Sequence, residues 1–158
     1  SPSHKRVPVS NDFKEQLKVV FNAYIKVKEA LVEDDFNMVK KNAGIFLKNL
    51  DQVEMELITD SESHQHWMQA EKAMQKSASA IVASENIDAQ RTHFKELSKA
   101  LTSAVQMYGI GQSVYNQFCP MANDNQGAYW LSNDKNVLNP YFGSAMLACG
   151  SVKQVIQE

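Results

Sequence analysis

Long apolar runs are missing from this chain of 158 residues, and no stretch approaches the ~18 residues of a membrane span. The apolar core of a signal peptide is missing as well. Charge of one sign is scarce. The net charge is −2, with 16 Lys and Arg against 18 Asp and Glu, so there is no basic surplus to neutralise nucleic-acid phosphates and no acidic solvating tail. No HExxH, P-loop, GxSxG or paired CxxC motif occurs, and "GIGQSV" (Gly109 to Val114) lacks the third glycine and the preceding strand of a dinucleotide loop. These absences lead us to expect a protein that is not an enzyme, does not bind nucleic acid and does not span a membrane. Cysteine is limited to two residues, enough for one disulfide or one two-thiolate site. The first residue is Ser1, not Met, and the expectation is a processed or trimmed chain, compatible with removal of an export signal.

What is present is mostly helix-forming. Phe13, Leu17, Val20, Phe21, Tyr24, Val27 and Leu31 recur at three- and four-residue steps, the spacing of one helix face. Asp12 and Glu15 read as its capping box. The same stripe recurs from Phe36 to Leu57, more thinly and with more alanine from Trp67 to Val82, and again from Ile87 to Tyr108. Glu33 to Asp35, Thr59 to Ser63 and Asn86 supply the breaks and caps. The expected architecture is all-α, an antiparallel up-down four-helix bundle with helices at about 11–31, 36–58, 62–83 and 87–108. Residues 1–10 are expected to be a flexible lead-in, and 11–158 a single domain for which this length suffices.

Beyond residue 110 the pattern changes to Gly, Pro, Asn and Asp interleaved with Tyr115, Phe118, Tyr129, Trp130, Tyr141 and Phe142. That aromatic content argues against disorder. We expect an irregular aromatic cap over the bundle, with a short β-hairpin as one option and a helical turn from 143 to 148. The turn signature of Asn139, Pro140, Tyr141 and Gly143 shapes the loop that presents the second sulfur cluster.

The cap holds both cysteines, each near a methionine: Cys119-Pro120-Met121 and Met146-Leu147-Ala148-Cys149. Thiolate and thioether are soft donors that select Cu(I) or a similar soft monovalent ion. Residues two apart in a strand share a side, and residues three apart in a helical turn share a face, so each cluster is a candidate two-sulfur clip. The competing reading is a Cys119–Cys149 disulfide with Met121 and Met146 as filler, which by chain entropy would stabilise by roughly 3.6 kcal/mol. A Cys nucleophile with His93 as base is a third reading. The residues alone leave these open.

Taken in order, "CPMA" (Cys119 to Ala122), "AYWLS" (Ala128 to Ser132), "NPYFG" (Asn139 to Gly143) and "MLACG" (Met146 to Gly150), with "IDAQRTHFKELSKAL" upstream, resemble an uncharacterised domain family of bacterial exported proteins. That family occurs alone and fused to the periplasmic adaptor subunit of copper/silver-type heavy-metal efflux pumps. The resemblance spans roughly residues 11–153. It implies a periplasmic or lipid-anchored protein linked to Cu(I) or Ag(I), with Cys119, Met121, Met146 and Cys149 as ligands and an efflux adaptor as partner. These 158 residues leave no room for an adaptor's own hairpin and barrel regions, so the expectation is that the chain is not itself an adaptor. From residue type, and not from the resemblance, His64, His66 and Trp130 are candidates for secondary contacts to an ion. Their alternative roles are solvated histidines beside a buried Trp67, and an aromatic anchor for the cap. Met38, Met55, Met68, Met74 and Met107 are expected to pack in the helices.

Overall fold

The computed structural model describes residues 6–158. Four long helices make up most of it: α1 (Asn11–Val32), α2 (Phe36–Asp51), α3 (Ser61–Ala83) and α4 (Ile87–Tyr108). Each begins where a side chain satisfies an otherwise unpartnered N–H. Asp35, Asp60 and Asn86 accept from Met38 N, Ser63 N and Ala89 N. At α1 the cap is Ser10, whose Oγ accepts from Phe13 N at 3.2 Å, and not the Asp12–Glu15 box. Asp12 instead lies in the first turn, where a carboxylate favours the positive end of the helix dipole. The second helix ends at Asp51, seven residues before the expected 58. Gln16 of α1 pairs with Glu54 through two 2.8 Å hydrogen bonds, and a 3₁₀ turn, Met55–Leu57, leads to α3.

The all-α expectation is too coarse, because the chain is mostly helical but carries a small antiparallel sheet. Its strands are β1 (Val114–Cys119), β2 (Ala128–Ser132) and β3 (Ser151–Ile156), in the order β2-β1-β3. The β1–β2 hairpin pairs Cys119 with Ala128 and Gln117 with Trp130. The chain from 133 to 150 then returns β3 to the other edge of β1, with a bulge between Asn116 and Gln117. The expected helical turn over 143–148 is a 3₁₀ turn, Gly143–Ala145.

Aromatic residues knit the helices together. Phe13 packs edge-on against Trp67 and Tyr108, each with centroids 5.2 Å away. Tyr24 stacks on Phe94 at 5.0 Å. Its hydroxyl pairs with Ser98 Oγ at 2.6 Å and accepts from Leu131 N at 3.0 Å, which ties the helical core to β2. Of the expected lead-in, residues 1–5 lie outside the described residues, and 6–10 are held in place. Val7 N donates to Met107 O at 2.8 Å. Arg6 donates to Gln106 O at 3.1 Å and to Gln157 O at 2.7 Å.

Candidate functional site

Cys119 closes β1 and is fully buried. Met121 does not continue the strand. It has helical backbone angles (φ −88°, ψ −15°) and is 47% exposed, so the expected same-side pairing of Cys119 and Met121 along an extended strand does not form. Asn123, Asp124 and Asn125 follow at φ 55°, 53° and 65°, a left-handed turn that Asn and Asp tolerate better than other L-residues.

Cys149 and Met146 come from the 139–150 loop, where Cys149 N donates to Met146 O at 3.2 Å. That hydrogen bond closes a turn, but not the expected helical one, since the 3₁₀ turn ends at Ala145 and Met146 lies at φ −150°, ψ 60°. Asn139, fully buried, folds the loop around itself. Its Nδ2 donates to Cys149 O at 2.8 Å, and its Oδ1 accepts from Tyr141 N and Phe142 N at 2.8 and 3.1 Å. Gly150 allows Trp130 to close over the loop. A Cβ there would stand 2.8 Å from Trp130 Cη2, and the backbone lies at φ 138°.

The two cysteines are free thiols. The Cys149 thiol is held above its usual range, chiefly by the Cys119 thiol beside it and next by burial, while the Met121 backbone N–H acts the other way. Met121 and Met146 line one cleft of about 480 Å³, together with Arg91, Lys95, Tyr141 and Phe142. All four sulfur residues thus lie at one corner of the cap, against the first turns of α4.

A three-way latch holds that corner to the helices. Arg91 donates to Pro140 O, Leu31 O and Asp34 Oδ1 at 2.8, 2.8 and 2.7 Å. Asp34 Oδ2 accepts from Ser144 N and Oγ at 3.1 and 2.6 Å. The Ser144 and Arg91 hydrogen bonds hold the Asp34 carboxyl down at about 2. Gly143, at φ 56°, is the residue that permits this approach, since a Cβ there would meet Asp34 Oδ1 and Arg91 Nη2. Nothing in the sequence around Arg91 names these partners, which lie about 50 to 60 residues away. The acidic run at 33–35 signalled only a helix start.

His64 and His66 lie elsewhere. Tyr108, at the far end of α4, donates its hydroxyl to Ser63 O, and about 25 Å of helix separates that end from Arg91. His66 and His93 line a separate, larger groove of about 620 Å³ between α3 and α4, whose floor includes Ala70, Ala73, Ala100 and Ala104. Trp130 is fully buried, edge-on to Tyr141 at 5.9 Å. Of the other methionines Met74 is fully buried, whereas Met38 and Met68 are 42% and 48% exposed and do not pack as expected.

A family of proteins of unknown function, DUF3347, matches residues 20–113, more than half of the chain. The chain belongs to the DUF3347 family. The DUF3347 match runs from within α1 to the residue before β1, so all four sulfur residues lie beyond it. No curated protein and no solved structure matches the chain.

Proposed function

We propose that the cap is an exported soft-metal cargo site for Cu(I) or Ag(I), with Cys119 and Cys149 as thiolate ligands and Met121 and Met146 as thioether ligands. One observation carries the reading: two adjacent unbridged thiols lie beside two thioethers that open on a single cleft. The donor chemistry fits. Soft sulfur donors prefer a soft monovalent ion to Zn, Mg or Ca. In this reading the four helices are an antiparallel up-down bundle. That is supported by the contacts of Arg91 with Leu31 and of Tyr108 with Ser63, which join the start of α4 to the end of α1 and the end of α4 to the start of α3. The module is non-catalytic and periplasmic, soluble or lipid-anchored, and buffers the ion or hands it to an efflux adaptor.

The test is titration of the reduced protein with Cu(I) under a competing chelator. One equivalent should bind, and Cys119→Ser/Cys149→Ser should abolish uptake. Failure of the reduced wild-type protein to bind would sink the reading.

The adjacency of the thiols also favours a second reading, a disulfide-stapled interaction domain without metal. Its mark is a mass two hydrogens light in the protein as isolated from cells, with no Cu(I) uptake after reduction.

A further inference from the structure

The four sulfurs stand at different depths. Cys119 is fully buried, Cys149 and Met146 are half-buried, and Met121 is 47% exposed at the cleft. Their supports differ as well. Met146 and Cys149 sit on a loop pinned by buried Asn139 and by the latch of Asp34 and Arg91. Met121 opens the left-handed turn, which is tied mainly to itself. Asn125 N donates to Met121 O at 3.3 Å, and Gly127 N to Ala122 O at 2.9 Å. Its contacts beyond the turn are the Met121 backbone N–H on the Cys149 thiol, the buried Ala122 side chain and a 3.5 Å contact between Lys95 Nζ and Asn123 Oδ1.

We propose that the sulfurs divide the work: Cys119, Cys149 and Met146 retain the ion, and Met121 is the exchange ligand through which it enters and leaves. The inference rests on the soft-metal reading above. An ion moving between water and the thiols meets Met121 first, because Met121 is the most exposed of the four sulfur residues. A neutral thioether there accepts the ion while a retained ligand is still attached, so the ion is never stripped bare. Loss of such a ligand slows loading and unloading alike, so it changes the two rates more than it changes their ratio, the affinity.

The experiment measures two quantities on the purified, reduced chain. Equilibrium affinity for Cu(I) comes from competition with bathocuproine disulfonate. The rate of Cu(I) transfer to an excess of the same chelator comes from stopped-flow absorbance. Met121→Ala should slow transfer about tenfold and weaken affinity by no more than about threefold, whereas Met146→Ala should weaken affinity about tenfold, equivalent to about 1.4 kcal/mol. Met121 is exposed, so its substitution leaves the fold intact, and circular dichroism checks Met146→Ala. Transfer at the wild-type rate in Met121→Ala overturns the proposal. So does an affinity loss equal to that of Met146→Ala, which would make Met121 a retaining ligand while leaving the soft-metal reading standing. A wild-type chain that binds no Cu(I) overturns both.

Discussion

Asn139 commits every polar atom it has to the loop that carries Cys149. Beyond its three side-chain bonds, its N–H donates to Leu147 O at 2.8 Å and its carbonyl accepts from Gly143 N at 2.9 Å. Asn139→Ala therefore orphans two backbone N–H groups, Tyr141 and Phe142, and should cost about 1–3 kcal/mol, read as a lower urea midpoint. Asp34 contributes in a pH-dependent way. Its folded carboxyl lies at about 2, below the ordinary 3.8, so its stabilisation is fully present above 3.8 and is lost as pH falls through the folded value. Thermal unfolding of wild type and Asp34→Asn should differ at neutral pH and converge as pH approaches 2. A gap that persists there would mean that Asp34 acts by shape and not by charge. Cys149 runs in the other direction. Its thiol is raised, and in the proposed soft-metal role it must lose a proton to bind the ion, so any Cu(I) affinity should climb with pH across the neutral range, with protons released on binding.

At the level of elements, Tyr24 decides how firmly the sheet is attached to the helices. Tyr24→Phe removes the acceptor for Leu131 N and the partner of Ser98 Oγ. The expected loss is about 1–3 kcal/mol, with faster hydrogen exchange at Leu131 while the N-terminal half of α4 keeps its protection. The long helices were legible in the sequence because their 3.6-residue stripes are continuous and their caps are ordinary Ser, Asp and Asn. Several features were not. β3 reads "SVKQVI" and alternates only weakly between exposed and half-buried, because it is an edge strand whose partner lies more than 30 residues away. Lys28 sits within an apolar stripe, yet its amine is buried near Ser132 Oγ at 3.4 Å, and a long-range partner of that kind leaves no local mark. For the sulfur corner, residue type signalled the cluster. The strand rule misplaced Met121, because the left-handed turn that follows it depends on three exposed Asn and Asp side chains that read as ordinary loop.

For the molecule as a whole, the division between scaffold and cap follows the family boundary, with the shared segment ending just before β1. No described helix is long and apolar enough to cross a membrane. The sulfur corner rests on the Arg91 end of α4, while Arg6 sits at the Tyr108 end and grips Gln106 and Gln157 together. That grip brings the head and tail of the described chain side by side. A circular permutant, with its original ends joined by a short linker and new ends opened at the exposed Thr59, should therefore keep the same fold and the same cleft, since chains with neighbouring termini tolerate such rewiring. The pole where the ends meet is also the natural handle for immobilising or fusing the protein, because whatever is attached there points away from the sulfur.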